Sequence, residues 1–323
     1  MLNTPDYYLL TLQSFRNATG DFLTPIFETI SAIAVSPAVI ILAAMFYWML
    51  DKKNGLWFFC GYSAIQYLNA VIKLTFCIYR PWIYCSDIVP AGNAMESAWG
   101  YSFPSAHSSA AAAIYGTPMI AMRKTRIWFA VGLGLMILLT MFSRNYLGVH
   151  TLQDVVVGGS VTLVLVVVCR MLLAWVEQKP SRDIVILSVM LMLVAMAMIY
   201  FIFKPYPMDY VNGELLVDPI KMQDTAFMGL GFLTGFVIGW FIERRWVKFD
   251  NSGTIVRKVI FSIIGVAIFA MIYLLMHKII LRPLPATWRY FIEMTFVMLY
   301  IVGLWPIAVK RFVNVKTPEK NAL

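Results

Sequence analysis

Charge is what this chain lacks most. Asp, Glu, Lys and Arg make up 13% of its 323 residues, about half of the quarter usual for soluble domains. Hydrophobic residues make up 60%, so a disordered chain and an ordinary soluble enzyme are both excluded. Cysteine is scarce. Cys60, Cys77, Cys85 and Cys169 contain no C-x-x-C pair, which excludes a disulfide-stapled mini-protein and argues against a zinc or redox site. A bridge between Cys77 and Cys85 is not the expectation. The net charge of +9 comes without a dense Lys/Arg run. No nucleic-acid partner is implied, and loop charge that orients a membrane protein accounts for the excess. Residues 1–20 lack a basic n-region, a long apolar run and an A-x-A site, so no cleavable signal is expected. Tyr7, Tyr8, Leu9, Leu10, Leu12 and Phe15 fall near one helical face. Residues 1–23 are therefore read as an amphipathic segment lying in the interface.

What the chain has in abundance is apolar runs long enough to cross a bilayer, which takes about 20 residues. Nine are recognised, at 24–50, 55–79, 105–122, 127–143, 152–176, 183–203, 225–242, 256–276 and 288–309. The expected fold is an all-α polytopic transmembrane bundle. The third run is the most polar, because Ser105, His107, Ser108 and Ser109 open it. A polar helix start at membrane depth lines a cavity. Basic residues favour the face carrying the 50–55, 122–127, 177–183 and 243–258 links and the C-terminal tail by about two to one, and positive loops stay cytoplasmic. The N-terminus is thus expected outside and the C-terminus inside. The polar oddities gather at the outer ends of spans two to five.

Three motifs lie there. In Lys73-Leu-Thr-Phe-Cys-Ile-Tyr-Arg80-Pro81, two cations seven residues apart share a helical face, and Pro81 turns Arg80 out of the helix. A point charge beside a planar fork suits a phosphate, although two snorkelling side chains would look the same. In Ser102-Phe-Pro104-Ser105-Ala106-His107, Pro104 fits a first helical turn and Ser102 or Ser105 can cap it. A helix N-terminus there would attract an anion. In Ser143-Arg144-Asn-Tyr-Leu-Gly148-Val-His150-Thr-Leu-Gln-Asp154, His150 and Asp154 share a face at i, i+4, and Gly148 permits the tight turn before them. A carboxylate on one imidazole nitrogen fixes the tautomer and leaves the other as a lone-pair nucleophile.

Together these motifs resemble the signature of the type-2 phosphatidic acid phosphatase superfamily, which also includes vanadium haloperoxidases: K-x6-R-P, then P-S-G-H, then S-R-x5-H-x3-D. The first and third match in full, and the second matches except that Ala106 stands in place of the glycine. The resemblance implies that His150 attacks phosphorus and forms a phosphohistidine, that Asp154 orients it, and that His107 protonates the leaving oxygen and then activates water. It implies further that Lys73, Arg80, Ser105 and Arg144 hold the phosphoryl oxygens, with N–H groups near Ala106 and His107 assisting. No Asp/Glu cluster lies near the motifs, so no metal and no cofactor are expected, the cations taking magnesium's place. His150 would be neutral and His107 protonated, which suits mildly acidic to neutral pH. If the family glycine serves a positive φ, Ala106 costs about 1 kcal/mol; if it serves close approach, alanine keeps the N–H.

The catalytic core is expected over 24–176 and a four-span region over 177–323. Nine spans with this site between spans two and five are similar to the glucose 6-phosphatase arrangement in the superfamily. Loops 204–224 and 277–289 are expected over the site face, where Lys278 and Arg282 are candidate headgroup contacts. Gly229, Gly231, Gly235 and Gly239 form a small-residue face suited to packing within the chain. The resemblance implies a lipid phosphate substrate such as phosphatidic acid, phosphatidylglycerol phosphate or a polyprenyl diphosphate. The surrounding lipids of a bacterial inner membrane are the expected setting, with the site extracytoplasmic. A soluble sugar phosphate, phosphoryl transfer to another alcohol, or anion transport without hydrolysis are the alternatives. Against transport, the motif residues gather at one face rather than at the midplane.

Overall fold

A computed structural model of the chain describes residues 4–211 and 213–313. The chain is an integral membrane protein built almost wholly of helices. A short α1 (Thr4–Ala18) precedes α2 (Thr24–Ile33) and α3 (Pro37–Met49), then α4 (Lys52–Phe76) and a single turn, α5 (Pro81–Tyr84). Next come α6 (Ala106–Met122), α7 (Ile127–Tyr146), α8 (Leu152–Glu177) and α9 (Arg182–Phe203). A two-residue hairpin, β1 (Tyr210–Val211) with β2 (Glu214–Leu215), leads into α10 (Pro219–Ile242), α11 (Ile255–Leu275), α12 (Ala286–Leu299) and the short α13 (Trp305–Ala308).

Each expected span is met by a helix, but the first is two helices. Pro37 has no N–H to continue the ladder, and Ser36 caps α3 by accepting the Ala38 N–H. Seven helical stretches among the described residues are long and apolar enough to cross a bilayer. The helices that fall short are α4 and α6. They carry Lys73 and His107; α6 is short, at 17 residues, and α4 holds Gln66, Asn69 and Lys73 among its apolar residues.

Helix ends are set locally. Asp51 caps α4 through the Asn54 N–H, and α4 stops at Cys77, which takes a left-handed φ of 50° and returns its N–H to the Lys73 carbonyl. Ser105 is the cap of α6, and Pro104 stands before the cap rather than in the first turn. Thr151 and Asp154 form a reciprocal capping box on α8.

The core runs through both halves of the chain. Tyr47, Phe59, Leu74 and Ala113 pack in one cluster with Phe201, Phe227, Leu230 and Met298. The glycine face of α10 makes this possible. A methyl at Gly231 or Gly235 would overlap the Phe291 or Thr295 carbonyl of α12, so α10 and α12 touch backbone to backbone. On its other side α10 lies against α4 at Gly229 and Gln66. The C-terminal region thus forms one wall of the helix that supplies Lys73.

Candidate active site

Four local structures deliver the site. The left-handed stop of α4 leaves Lys73 in its last turn. Pro81 forces extended backbone on Arg80 (ψ 154°) and swings it off the helix. The Ser105 cap sets the start of α6, where the first-turn N–H groups of Ala106 and His107 have no intrahelical acceptor. Gly148, at φ +73°, turns the chain between α7 and α8 and returns His150 to the same place.

His150 is 1% exposed. Its Nε2 lies 2.8 Å from Arg80 Nη1 and its Nδ1 lies 3.3 Å from Asp154 Oδ2. A guanidinium only donates, so Nε2 accepts and Nδ1 carries the proton toward Asp154. Asp154 Oδ2 also takes the Ser102 hydroxyl at 2.6 Å and the Thr151 N–H at 2.8 Å. Asn145 Nδ2 donates to the His150 carbonyl at 2.9 Å. Burial first, then the positive charges of Arg80, Arg144 and Lys73, hold His150 well below the ordinary histidine range. The imidazole is neutral at neutral pH.

The three cations rest on neutral groups. Arg80 also donates to the carbonyls of Gly100 (3.1 Å) and Val149 (2.8 Å). Arg144, 2% exposed, reaches Ser31 Oγ at 2.7 Å and Ser97 Oγ at 3.4 Å, and its buried Nε has no hydrogen-bond partner among the described residues. Lys73 Nζ donates to the Tyr101, Ser102 and Pro104 carbonyls at 2.9, 3.2 and 2.9 Å. Lys73 therefore braces the strand of chain that enters α6. Among the described residues none of the three forms an ion pair.

The Ser105 hydroxyl accepts from the Ser108 N–H and hydroxyl, and the Ser105 N–H donates to the Asp154 carbonyl. The second and third motifs are thereby locked together. His107 is buried, and among the described residues its ring has no hydrogen-bond partner. Ala106 is the first residue of α6 and has no positive φ, so alanine carries no left-handed strain there. Lys278 and Arg282 are exposed and make no hydrogen bond or ion pair with the site residues. The hairpin loop does reach the site face, where Tyr79 Oη donates to Asp209 Oδ2 at 2.6 Å.

Sequence reasoning missed Ser102, Asn145 and Ser31 as site residues. Ser102 was legible only as a possible cap, and its bond to Asp154 crosses 52 positions. Nothing in the chain near Ser31 points to Arg144, 113 residues away.

This membrane helix bundle buries a tautomer-fixed histidine among three cations that have no anionic partner among the described residues. Residues 54–179 match the PAP2 superfamily, and residues 227–317 match the PAP2 superfamily phosphatase, transmembrane extension. The chain belongs to the PAP2 superfamily. It is similar to phosphatidylglycerophosphatase B of Bacillus subtilis (strain 168), with 30% identity over 138 residues. The match spans 40% of this chain and 63% of that protein, so this chain aligns with somewhat under two thirds of its relative's length. A crystal structure of a transmembrane PAP2-type phosphatidylglycerolphosphate phosphatase from Bacillus subtilis aligns with 52% of this chain and 92% of its own, at 24% identity and a TM-score of 0.38.

Proposed function

We propose that this protein is a membrane phosphatase that removes phosphate from a lipid phosphomonoester or diphosphate through a phosphohistidine, without a metal. The observation that carries this is the Arg80–His150–Asp154 chain, in which a neutral Nε2 points at a cation that has no anionic partner of its own. The site is short of negative charge and holds a nucleophile where that charge would bind.

The steps follow from the atoms. A phosphoryl group enters and takes over Arg80 Nη1, which frees the His150 Nε2 lone pair. Arg80, Arg144 with its open Nε, and the first-turn N–H groups of α6 hold the non-bridging oxygens and stabilise the charge that develops on them. Nε2 bonds to phosphorus as the ester P–O bond breaks. His107 gives its proton to the leaving oxygen. Asp154 balances the positive imidazole, and Ser102 and Thr151 hold Asp154 in place. His107, now neutral, then takes a proton from water, the water oxygen attacks phosphorus, the P–N bond breaks and phosphate leaves. The dianionic substrate supplies the negative charge that protonated His107 needs. Lys73 acts from behind, by fixing the carbonyls that aim α6.

In the membrane we place nine crossings, the N-terminus outside, the C-terminus inside, and the site at the extracytoplasmic face of a bacterial inner membrane. The core is 24–176, with 177–323 as its extension and 1–23 on the interface. Lys278 and Arg282 face the same side and serve a headgroup or lipid phosphates. The name of the Bacillus relative favours a lipid phosphate such as phosphatidylglycerol phosphate.

The test is phosphate release by detergent-purified protein with EDTA present, on phosphatidic acid, phosphatidylglycerol phosphate, a polyprenyl diphosphate and glucose 6-phosphate, beside His150→Ala. Release from a lipid substrate that falls at least about a thousandfold in the variant is expected. Release that needs a divalent cation, that survives in His150→Ala, or that occurs only with the sugar phosphate overturns the corresponding part of the reading.

A further inference from the structure

Behind Ala106 the bundle is hollow. A cavity of about 480 Å³ lies between α3, α4, α6 and the helices of the C-terminal region. Its walls include Ile40, Ala44, Met228, Phe232, Val297 and Ile301. A smaller cavity of about 120 Å³ adjoins it and reaches Lys73 and Asn69. Gln66, Ala106, Met228 and Phe232 line both. One apolar hollow therefore leads to the residue next to His107.

Most of the polar groups on the large cavity's wall already have a partner. Trp48 Nε1 donates to the Ile301 carbonyl, Tyr62 Oη accepts from Gln66, Tyr273 Oη reaches Glu293, and Ser36 Oγ accepts the Ala38 N–H. A sugar or glycerol in this space would lose its hydrogen bonds to water and gain few in return. A hydrocarbon chain would lose nothing, and the volume lies within the range of small-molecule sites.

We propose that this cavity between the catalytic core and the C-terminal extension holds one hydrocarbon chain of the substrate, with the neck at Gln66 and Ala106 passing the chain to the phosphoryl site. The proposal rests on the phosphatase reading and deepens it: the substrate is a lipid because its tail has a compartment built by both halves of the protein. The methyl of Ala106 lies at that neck, where it adds apolar surface at the junction of head and tail. The continuity of the two cavities with Ala106, next to His107 at the start of α6, makes the occupant the substrate rather than a resident membrane lipid.

The test compares Ala44→Phe, which fills the cavity, and Phe232→Ala, which enlarges it, with the unaltered protein in mixed micelles. Substrates are p-nitrophenyl phosphate, dihexanoyl phosphatidic acid and dioleoyl phosphatidic acid. Ala44→Phe is expected to lower kcat/KM for the dioleoyl substrate at least tenfold and to leave p-nitrophenyl phosphate within twofold. Phe232→Ala is expected to keep or raise the ratio of dioleoyl to dihexanoyl turnover. Equal losses on all three substrates, or no change on any, overturn the proposal. If the unaltered protein releases no phosphate from any of them, the phosphatase reading has failed and a second readout decides the cavity. Phosphatidic acid with brominated chains should quench tryptophan fluorescence saturably over a phosphatidylcholine background. That quenching should shrink in both Trp48→Phe and Ala44→Phe. Quenching that neither variant alters overturns the cavity's role as well.

Discussion

Two clusters of buried charge, one at each end of α4, are handled in opposite ways. At the end opposite the site, Lys52 Nζ meets Glu243 Oε1 at 2.6 Å, and Arg244 and Arg245 meet Asp183 at 3.5 and 2.6 Å. Glu243 and Asp183 are 2% and 1% exposed. There each buried carboxylate has its cation, and the cluster is closed. Within the site Lys73, Arg80 and Arg144 lean on carbonyls, serines and an imidazole, and the carboxylate among them, Asp154, belongs to His150. Burying cations without anions is costly, and on the reading proposed above a bound phosphate would offset it. Charge that is paired within the chain stabilises the fold. Charge held by neutral acceptors is, on the proposed function, left open for a ligand.

The comparison breaks or sharpens on four variants and titrations, taken from the largest effect down. Arg80→Ala is expected to lower kcat/KM about a hundred- to a thousandfold, as loss of one transition-state donor does, with little change in thermal unfolding. An Arg80→Ala protein that melts early yet keeps its activity per folded molecule would make Arg80 a structural residue and erase the contrast. Lys52→Met should do the reverse. It leaves Glu243 buried without its cation, and because Lys52 is partly exposed the loss is about 2 kcal/mol of stability rather than the larger figure for a fully buried pair. Activity per folded molecule should not change, and a thermal melt paired with an activity assay reads both.

Ser102→Ala should lower kcat about tenfold with KM nearly unchanged, because Ser102 holds Asp154 rather than the substrate. Ser102→Thr should restore most of the loss; a KM effect instead would put Ser102 in contact with substrate. The smallest effect is a shift in titration. Burial and the neighbouring cations lower His150, so the free enzyme should keep a neutral nucleophile, and the acid limb of kcat/KM should lie below the ordinary value of about 6.5. Removing a cation must raise the imidazole pKa, so His150 in Arg80→Ala should take its proton at higher pH. Nitrogen-15 NMR of a chain with three histidines can follow this directly, and a shift to lower pH would contradict the geometry. The same depression carries a stability sign. Below about 6.5 the unfolded chain binds the proton first, so His150 contributes a loss of stability as pH falls through that point.

Much of this was legible from residue order because the chemistry is local. Lys73 and Arg80 share a helix end, Pro81 dictates the backbone of Arg80, and His150 and Asp154 are one turn apart. The family glycine replaced by Ala106 raised a question of strain, which the helical start of α6 answers. What residue order left open concerned direction. Lys73 was expected to hold phosphate, yet its ammonium points to three carbonyls of the 101–104 segment. Spacing along a helix shows which face a side chain occupies, and not which of several acceptors on that face it chooses. Lys278 and Arg282 show the same limit, since positive charge on a loop does not say what the loop hangs over.

By itself the sequence determined the class of protein and its helical, membrane-spanning character, and it put His150 one helical turn from Asp154. Each of these is fixed by composition or by contacts within a few residues. Only the tertiary structure decided that Ser102 braces Asp154, that Arg144 rests on Ser31 with one nitrogen left open, and that the two halves of the chain enclose an apolar hollow beside the site. Those features join residues tens to hundreds of positions apart. Their geometry depends on how α4, α6 and α10 pack, which no local pattern encodes.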